Sequence, residues 1–210
     1  MKKTDTKERI LREALNLFAG KGYEAVGVTE IADAVGIKAP SIYKHYKNKR
    51  DIFDSIIKRI NEMDSEYAKS YEMPEETMEE DGDSYKNVPI EKISAYTKMM
   101  FLHWTEEEFS SRFRKLLTLE QYKTPEMGKL YQKYISGGPA QYMADIFREM
   151  TDSDAEAFQL ALEFYGPIYL LYSVYDGTSD KDSVINLLEK HIEKFLNRLD
   201  VQSAENRNLK

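Results

Sequence analysis

The segment Gly36–Phe53, GIKAPSIYKHYKNKRDIF, concentrates side chains that bind phosphate groups and nucleobases. Its ammonium, imidazole and phenol groups donate hydrogen bonds to phosphate oxygens, and lysine and serine also reach acceptors on base edges. The chain as a whole is acidic, with a formal net charge of −7 over 210 residues. Residues 1–50 carry 11 Lys and Arg against 6 Asp and Glu, so a basic N-terminal part precedes an acidic body. This asymmetry permits a nucleic-acid-binding face at the N-terminus.

Signatures of catalysis are absent from the sequence. The stretch GYEAVGV has the spaced glycines of a phosphate loop but lacks the Lys-Ser/Thr that follows in such loops, and no GxSxG occurs. The nearest approach to a metal pair is His103 with Glu106 or Glu107, which a solvated helix end explains better. Without cysteine, disulfides and thiolate metal sites are excluded. We therefore expect no enzyme activity, no catalytic residue, no metal and no cofactor.

Apolar residues spaced by three and four along nearly the whole chain predict an all-α protein. A first helix begins near Thr4–Thr6 and stops at Gly20–Gly22, where glycine suits a helix C-terminus. Thr29 is predicted to cap a short second helix that ends at Gly36. A third helix opens at Pro40 and a long fourth helix follows the break at residues 47–49.

The second and third of these helices fit a helix-turn-helix, in which the second helix of the pair enters the major groove of DNA. Their brevity and the short turn at Gly36 match that motif. A small core is predicted beneath it, formed by Ile31, Ala32, Val35, Ile42 and Tyr46.

The stretch LNLFAGKGYEAVGVTEIADAVGIKAPSIYKHYKNKRDIF resembles the DNA-binding domain of the tetracycline-repressor (TetR) family. In that family the pattern T-x-x-x-I-A-x-x-A-G-V-x-x-x-x-[IL]-Y-x-[HY]-F-x-[NS]-K-x-x-[IL] recurs. The match covers about residues 7–57 and departs from the pattern at Val35, at Ile37 and at Tyr46, where phenylalanine is usual. The resemblance implies a homodimeric regulator that binds a palindromic operator and responds to a small effector, and we expect a repressor.

The resemblance also assigns roles by position. Base edges would be contacted by Lys38, Ala39, Pro40, Ser41 and Lys44. Phosphates would be contacted by Thr29, Tyr43, His45 and Lys49. The side-chain chemistry agrees, since Lys44 suits guanine acceptors, Ala39 and Pro40 suit thymine methyl groups, and the Tyr43 hydroxyl suits a phosphate.

The body of the chain is rich in side chains that could line an effector cavity, with most of the 15 tyrosines and 9 methionines after residue 60. Aromatic walls with a few hydroxyl groups suit a small, largely apolar or aromatic molecule. Alternatively, most of these side chains pack the core. The candidates for the pocket are Tyr96, Met100, His103, Trp104, Phe113, Tyr122, Tyr142, Phe147, Tyr165 and Tyr169.

The last two long helices are the most apolar and are predicted over about Asp154–Tyr175, interrupted at Gly166-Pro167, and Asp182–Leu199. The family resemblance implies that they pair with a second copy in the homodimer. We expect residues 1–50 to form the DNA-binding domain, residues 51–200 the effector-binding and dimerisation domain, and residues 201–210 a disordered tail. Glu72–Asp83, with seven acidic residues, is interpreted as a mobile, solvated connector.

No apolar run approaches the length of a signal peptide core or a membrane helix, so we expect a cytoplasmic protein that does not contact membranes. Two alternatives stay open at this point. One is a helical ligand-binding or scaffold protein without a DNA function, whose basic N-terminus is an ordinary solvated surface. The other is an all-helical enzyme acting on a lipophilic substrate.

Overall fold

The computed structural model describes residues 5–74 and 88–208, and within these ranges the regular structure is helical, without a strand. The predicted all-α fold is therefore confirmed. The helices are α1 Thr6–Lys21, α2 Val28–Val35, α3 Ala39–Ile42, α4 Lys49–Ser70, α5 Ile90–Thr105, α6 Glu108–Glu120, α7 Pro125–Ile135, α8 Gly137–Phe147, α9 Asp154–Gly177 and α10 Lys181–Asn208, with a short 3-10 turn at Arg148–Met150. None of the helices in the described ranges combines the length and apolarity needed to cross a bilayer.

The helices group into two compact units. The first contains the residues up to 65 together with 106–131, and the second contains 66–105 together with the residues from 132 onward. Residues 51–65 and 106–131 thus pack with the N-terminal helices. The functional division into a DNA-binding domain at 1–50 and an effector domain at 51–200 stays a prediction.

Local signals set both ends of α1. The Asp5 side chain caps the helix by accepting a hydrogen bond from the Lys7 N–H, at 3.2 Å. At the other end Gly22 adopts φ 88° and ψ 154°, and its N–H donates to the Phe18 carbonyl at 2.8 Å. A side chain at Gly22 would clash, because an added Cβ would lie 2.5 Å from the Glu120 Oε1 atom. The predicted glycine stop of the first helix is confirmed.

The predicted N-cap of α2 is wrong. The helix begins at Val28, after an extended Gly27 whose carbonyl accepts from the Ile31 N–H at 3.2 Å, so Thr29 lies inside the first turn. The predicted end is confirmed, since Gly36 is left-handed with φ 73° and ψ 36°. The Ile37 N–H donates to the Ala32 carbonyl at 2.9 Å, which completes the glycine cap.

Helix α3 is shorter than predicted. Regular α-helix ends at Ile42, although a last hydrogen bond from the Tyr46 N–H to the Ile42 carbonyl, 3.0 Å, carries the coiling further. Helix α4 begins at Lys49, as predicted, behind a reciprocal cap. Asn48 Oδ1 accepts from the Asp51 N–H at 2.8 Å, and Asp51 Oδ2 accepts from the Lys47 N–H at 2.8 Å.

The first unit has the small core predicted from the sequence, since the five residues assigned to it are at most 3% exposed: Ile31, Ala32, Val35, Ile42 and Tyr46. Around them the rings of Phe18, Tyr23 and Phe53 form an aromatic cluster with centroid separations of 5.0–6.5 Å. This core fixes α2 and α3 on α1 and α4.

The second unit centres on aromatic packing between α5, α8, α9 and α10. Phe101 stacks on Tyr172, with centroids 5.1 Å apart, and Phe164 contacts Phe147 and Phe195 at 5.6 and 4.9 Å. In the predicted acidic connector, Met73 and Pro74 are buried, whereas residues 75–83 lie outside the described ranges.

Helix α9 continues through Gly166-Pro167, so the predicted interruption is wrong. Pro167 lies on the exposed face, where its ring meets solvent, and the His191 Nε2 atom lies 2.7 Å from the nearby Phe164 carbonyl oxygen. Helix α10 extends to Asn208, beyond the predicted end at Leu199 and into the segment expected to be a disordered tail. Residues 201–208 contain neither glycine nor proline to stop the helix.

Candidate nucleic-acid interface

Helix α3 and the residues that flank it present the five residues assigned to base edges on the side away from the core. Its inner side is anchored by Ile42 and, just beyond the helix, by Tyr46, which are 0% and 3% exposed. The assigned residues are exposed at Lys38, Pro40 and Lys44 and half-buried at Ala39 and Ser41. A short exposed helix that follows a glycine turn corresponds to the second helix of a helix-turn-helix, which enters the major groove of DNA.

The four residues assigned to phosphates flank this helix in different surroundings. Thr29 is exposed in the first turn of α2, and His45 is half-buried in the turn after α3. Tyr43 is 58% exposed, so most of its side chain lies outside the core. Lys49 is different, because its Nζ already donates to the Tyr23 carbonyl at 3.0 Å and lies 4.3 Å from the centre of the Tyr23 ring.

Uncompensated positive charge lies along α3 and the turn that follows it. The segment Gly36–Arg50 contains five Lys and Arg residues and no Asp or Glu. Among the residues that the structure describes, Lys38, Lys44 and Lys47 make no ion pair. These three ammonium groups therefore remain available to an external anion.

A cluster of charged and aromatic residues supports the start of α4. Arg50 donates to both carboxylate oxygens of Glu126, at 2.9 and 2.6 Å, and its Nε donates to Asp54 at 2.7 Å. These hydrogen bonds raise the pKa of Arg50 and lower the pKa of Glu126. Burial raises the pKa of the Tyr23 phenol. We call Tyr23, Lys49, Arg50, Glu120 and Glu126 the α4 cluster.

Glu120 is the buried member of the α4 cluster, at 1% exposure. Its Oε1 accepts from the Tyr23 N–H at 3.3 Å and pairs with Lys123 at 2.7 Å, directly beneath Gly22. Sequence reasoning missed both Glu120 and Glu126. Their partners lie 97 and 76 residues away in the chain, and no local pattern marks such a contact.

The effector-pocket candidates are only partly brought together. In the second unit, Tyr96 contacts the rings of Tyr71 and Tyr142, each with a centroid separation of 6.1 Å. In the same unit, Trp104 contacts His103 and Tyr134, at 5.6 and 6.2 Å.

The remaining candidates lie in several different places. Met100 is half-buried on α5, and Phe147 is fully buried among the rings of α9 and α10. Tyr165 donates to the Ile135 carbonyl at 2.7 Å and also contacts the Tyr169 ring, which is 41% exposed. Phe113 and Tyr122 belong to the first unit, where Phe113 is buried and Tyr122 is 92% exposed.

Helices α9 and α10 expose large apolar side chains to solvent. These side chains are Phe158, Leu162, Tyr169, Leu170, Val174 and Leu187. A shallow groove on the same two helices is lined by Leu162, Glu163, Pro167, His191, Lys194, Phe195 and Arg198. An exposed apolar surface of this kind is typical of a protein interface.

Comparison with known proteins places the N-terminal unit in a family. The family model of the bacterial regulatory proteins of the tetR family matches residues 10–56. The chain is 35% identical over 71 residues to the HTH-type transcriptional regulator AcrR of Shigella flexneri, covering 32% of this chain and 33% of AcrR. It is 36% identical over 52 residues to IcaR, the negative transcriptional regulator of the biofilm operon icaADBC in Staphylococcus aureus strain Newman, covering 25% of this chain and 28% of IcaR. The matched region thus spans a third or less of either relative.

The likeness in fold covers most of the chain. The complex of SmeT with triclosan aligns with a TM-score of 0.62 at 16% identity, over 92% of this chain and 90% of SmeT. SmeT is the repressor of the Stenotrophomonas maltophilia multidrug efflux pump SmeDEF. Identity at this level shows a shared fold, with an N-terminal helix-turn-helix unit followed by a larger helical part. By sequence, residues 10–56 belong to the TetR family of bacterial regulatory proteins, and the chain as a whole shares its fold with SmeT.

Proposed function

We propose that this protein is a ligand-responsive transcriptional repressor that binds a palindromic DNA operator as a homodimer. The observation that carries the proposal is the set of exposed donors along α3, where Lys38, Lys44 and Lys47 make no ion pair among the described residues and Tyr43 is 58% exposed. IcaR and SmeT are named as a negative regulator and a repressor, which supports repression. The protein would act in the cytoplasm and carry out no catalysis.

In this proposal α3 and its flanking residues read base edges through Lys38, Ala39, Pro40, Ser41 and Lys44. Thr29, Tyr43 and His45 contact phosphates, as does Lys49 when its ammonium turns from Tyr23 toward the backbone of DNA. The exposed apolar residues of α9 and α10 join two copies, and a two-fold dimer reads a palindrome. The second unit binds a small, largely apolar or aromatic effector among its tyrosine, tryptophan and histidine rings.

DNA binding is tested by the salt dependence of affinity for the DNA upstream of the protein's own gene. Phosphate contacts release counterions, so affinity should fall steeply with salt concentration. Lys44→Ala should lose discrimination between operator and random sequence by roughly 1–3 kcal/mol. Lys49→Ala should weaken binding to both DNAs alike.

The matched control is Lys58→Ala, which removes an exposed ammonium from the same basic unit, in a pair with Glu62 on α4. It should preserve sequence discrimination. A folded wild-type protein that binds no duplex, or binds it independently of salt, would contradict the proposal and favour a helical ligand-binding or scaffold protein.

Effector binding is tested with triclosan, the ligand named in the SmeT complex. Trp104 is the single tryptophan of the sequence and is 4% exposed in the second unit, so its fluorescence reports on the surroundings of that one side chain. We expect saturable quenching by triclosan. Tyr96→Ala should weaken the binding of triclosan measured by this quenching. Tyr122→Ala, which alters a 92% exposed ring of the first unit, should leave the binding unchanged. Equal effects of the two variants would contradict this pocket.

A further inference from the structure

Arg50 is positioned beside a residue already assigned to a phosphate. It lies in the first turn of α4, directly after Lys49, and its side chain is 51% exposed. Both terminal nitrogens of its guanidinium donate to Glu126, NH1 to Oε2 at 2.9 Å and NH2 to Oε1 at 2.6 Å. The remaining Nε donates to Asp54 at 2.7 Å. All four residues belong to the first compact unit.

The Glu126 carboxylate uses the same donors that a phosphate would use. A guanidinium binds carboxylate and phosphate through the same pair of parallel N–H groups. The pair between Arg50 and Glu126 is exposed at both ends, with 51% and 48% of the side-chain surfaces accessible. Because both side chains are exposed, salt screens the pair and a phosphate can reach the guanidinium and compete with the carboxylate.

The other cations near α3 have no comparable partner. Lys38, Lys44 and Lys47 make no ion pair among the residues described, and Lys49 approaches the exposed Glu24 only at 3.9 Å. Arg50 is therefore the cation of the segment Gly36–Arg50 whose charge is most fully compensated, and Glu126 on α7 supplies two of its three hydrogen bonds.

We propose that Arg50 is a further phosphate-binding residue of the DNA interface and that Glu126 competes with DNA for its guanidinium. This inference rests on the proposed DNA-binding function. When Glu126 releases Arg50, Asp54 still orients the guanidinium through Nε, and its two terminal nitrogens become free for a phosphate. Glu126 thereby lowers the affinity of the protein for all DNA sequences alike.

The test uses fluorescence anisotropy of a labelled duplex of random sequence, titrated with the full-length protein at several salt concentrations. Glu126→Gln should bind more tightly than the wild type at low salt. The slope of log affinity against log salt should become steeper by about 0.9 per protomer, the value for one added phosphate contact. Glu126→Ala should behave in the same way, so that a folding defect in one variant does not decide the question.

Two comparisons separate a new phosphate contact from a general change of charge. Asp33→Asn removes an exposed carboxylate from α2, three residues before the Gly36 turn. It should steepen the salt slope by less than half as much as Glu126→Gln does. Adding Arg50→Gln to Glu126→Gln should return the slope to the wild-type value. Equal steepening by Asp33→Asn, a steep slope that survives in the double variant, or an unchanged slope in both Glu126→Gln and Glu126→Ala would each overturn the inference.

The outcome also distinguishes this inference from the function on which it rests. A folded wild-type protein that fails to bind the duplex refutes the DNA-binding function itself. A wild-type protein that binds with a normal salt slope, while Glu126→Gln and Glu126→Ala leave that slope unchanged, refutes only the role of Arg50 and Glu126.

Discussion

Tyr46 combines a core position with a polar end that needs a partner. Its side chain is 3% exposed, and its hydroxyl donates to the Lys7 carbonyl at 3.1 Å, which ties the turn after α3 to the first turns of α1. Burial, together with the negative charge of Glu8, raises its pKa to about 12. The neutral phenol is therefore favoured in the folded state.

We expect Tyr46→Phe to lower the free energy of unfolding by about 1 kcal/mol near neutral pH, because one hydrogen bond is lost while the ring still fills the core. The raised pKa gives a pH signature. The contribution of a neutral Tyr46 is fully present below pH 10 and is lost as the pH rises toward about 12. Denaturant unfolding across that range should show the difference between wild type and variant shrinking.

The matched control for this residue is Tyr43→Phe, which removes the same hydroxyl from a 58% exposed side chain in the turn after α3. It should leave the free energy of unfolding unchanged near neutral pH. A stability loss equal to that of Tyr46→Phe, or a pH-independent difference for Tyr46→Phe, would show that the hydroxyl of Tyr46 is not the cause.

At the scale of the element, the end of α1 depends on a glycine for two reasons at once. Gly22 adopts φ 88° and ψ 154°, a conformation reached almost only by glycine, and an added Cβ would lie 2.5 Å from Glu120 Oε1 and 2.9 Å from Lys123 Nζ. We expect Gly22→Ala to lower the free energy of unfolding by roughly 1–3 kcal/mol. Thermal and denaturant unfolding of the folded variant measure this loss.

The same helix provides a control of opposite sign. Gly20 lies within α1, and an added Cβ there would meet nothing within 4 Å. Gly20→Ala should therefore raise the free energy of unfolding by about 0.5–1 kcal/mol. Stabilisation by both substitutions, or destabilisation by both, would contradict the role assigned to the Gly22 conformation.

The element scale also shows which features a sequence can predict. The start of α1 near Asp5 and the end of α2 at Gly36 depend on neighbours within a few residues, so the local residue types were sufficient to predict them. The N-cap predicted at Thr29 was wrong because an extended Gly27 can begin a helix without a side-chain cap. The contacts of Glu120 with Tyr23 and of Glu126 with Arg50 could not be predicted, because only the fold brings these distant residues together. The residue type of a glutamate on a helix does not indicate which residue it will contact.

At the scale of the whole molecule, exposed apolar surface is distributed unevenly. Six of the nine exposed large apolar side chains in the described part of the chain lie on α9 and α10, and Leu170 and Leu187 are 61% and 55% exposed. Water contact with such a surface is unfavourable, and burial against a second copy would remove it. The proposed homodimer accounts for this distribution.

We therefore expect light scattering of the purified wild-type protein to give twice the 24.5 kDa mass of the chain. Leu170→Asp places a charge in the proposed interface and should shift the mass toward a single chain. Because a monomer contacts one half-site only, this variant should also lose most of its affinity for a palindromic operator whose half-sites lie about 34–36 Å apart. Leu119→Asp, which alters a 49% exposed leucine of α6 in the first unit, should leave both the mass and the affinity unchanged. A monomeric wild type, or a Leu170→Asp protein that stays dimeric, would place the dimer interface elsewhere or abolish it.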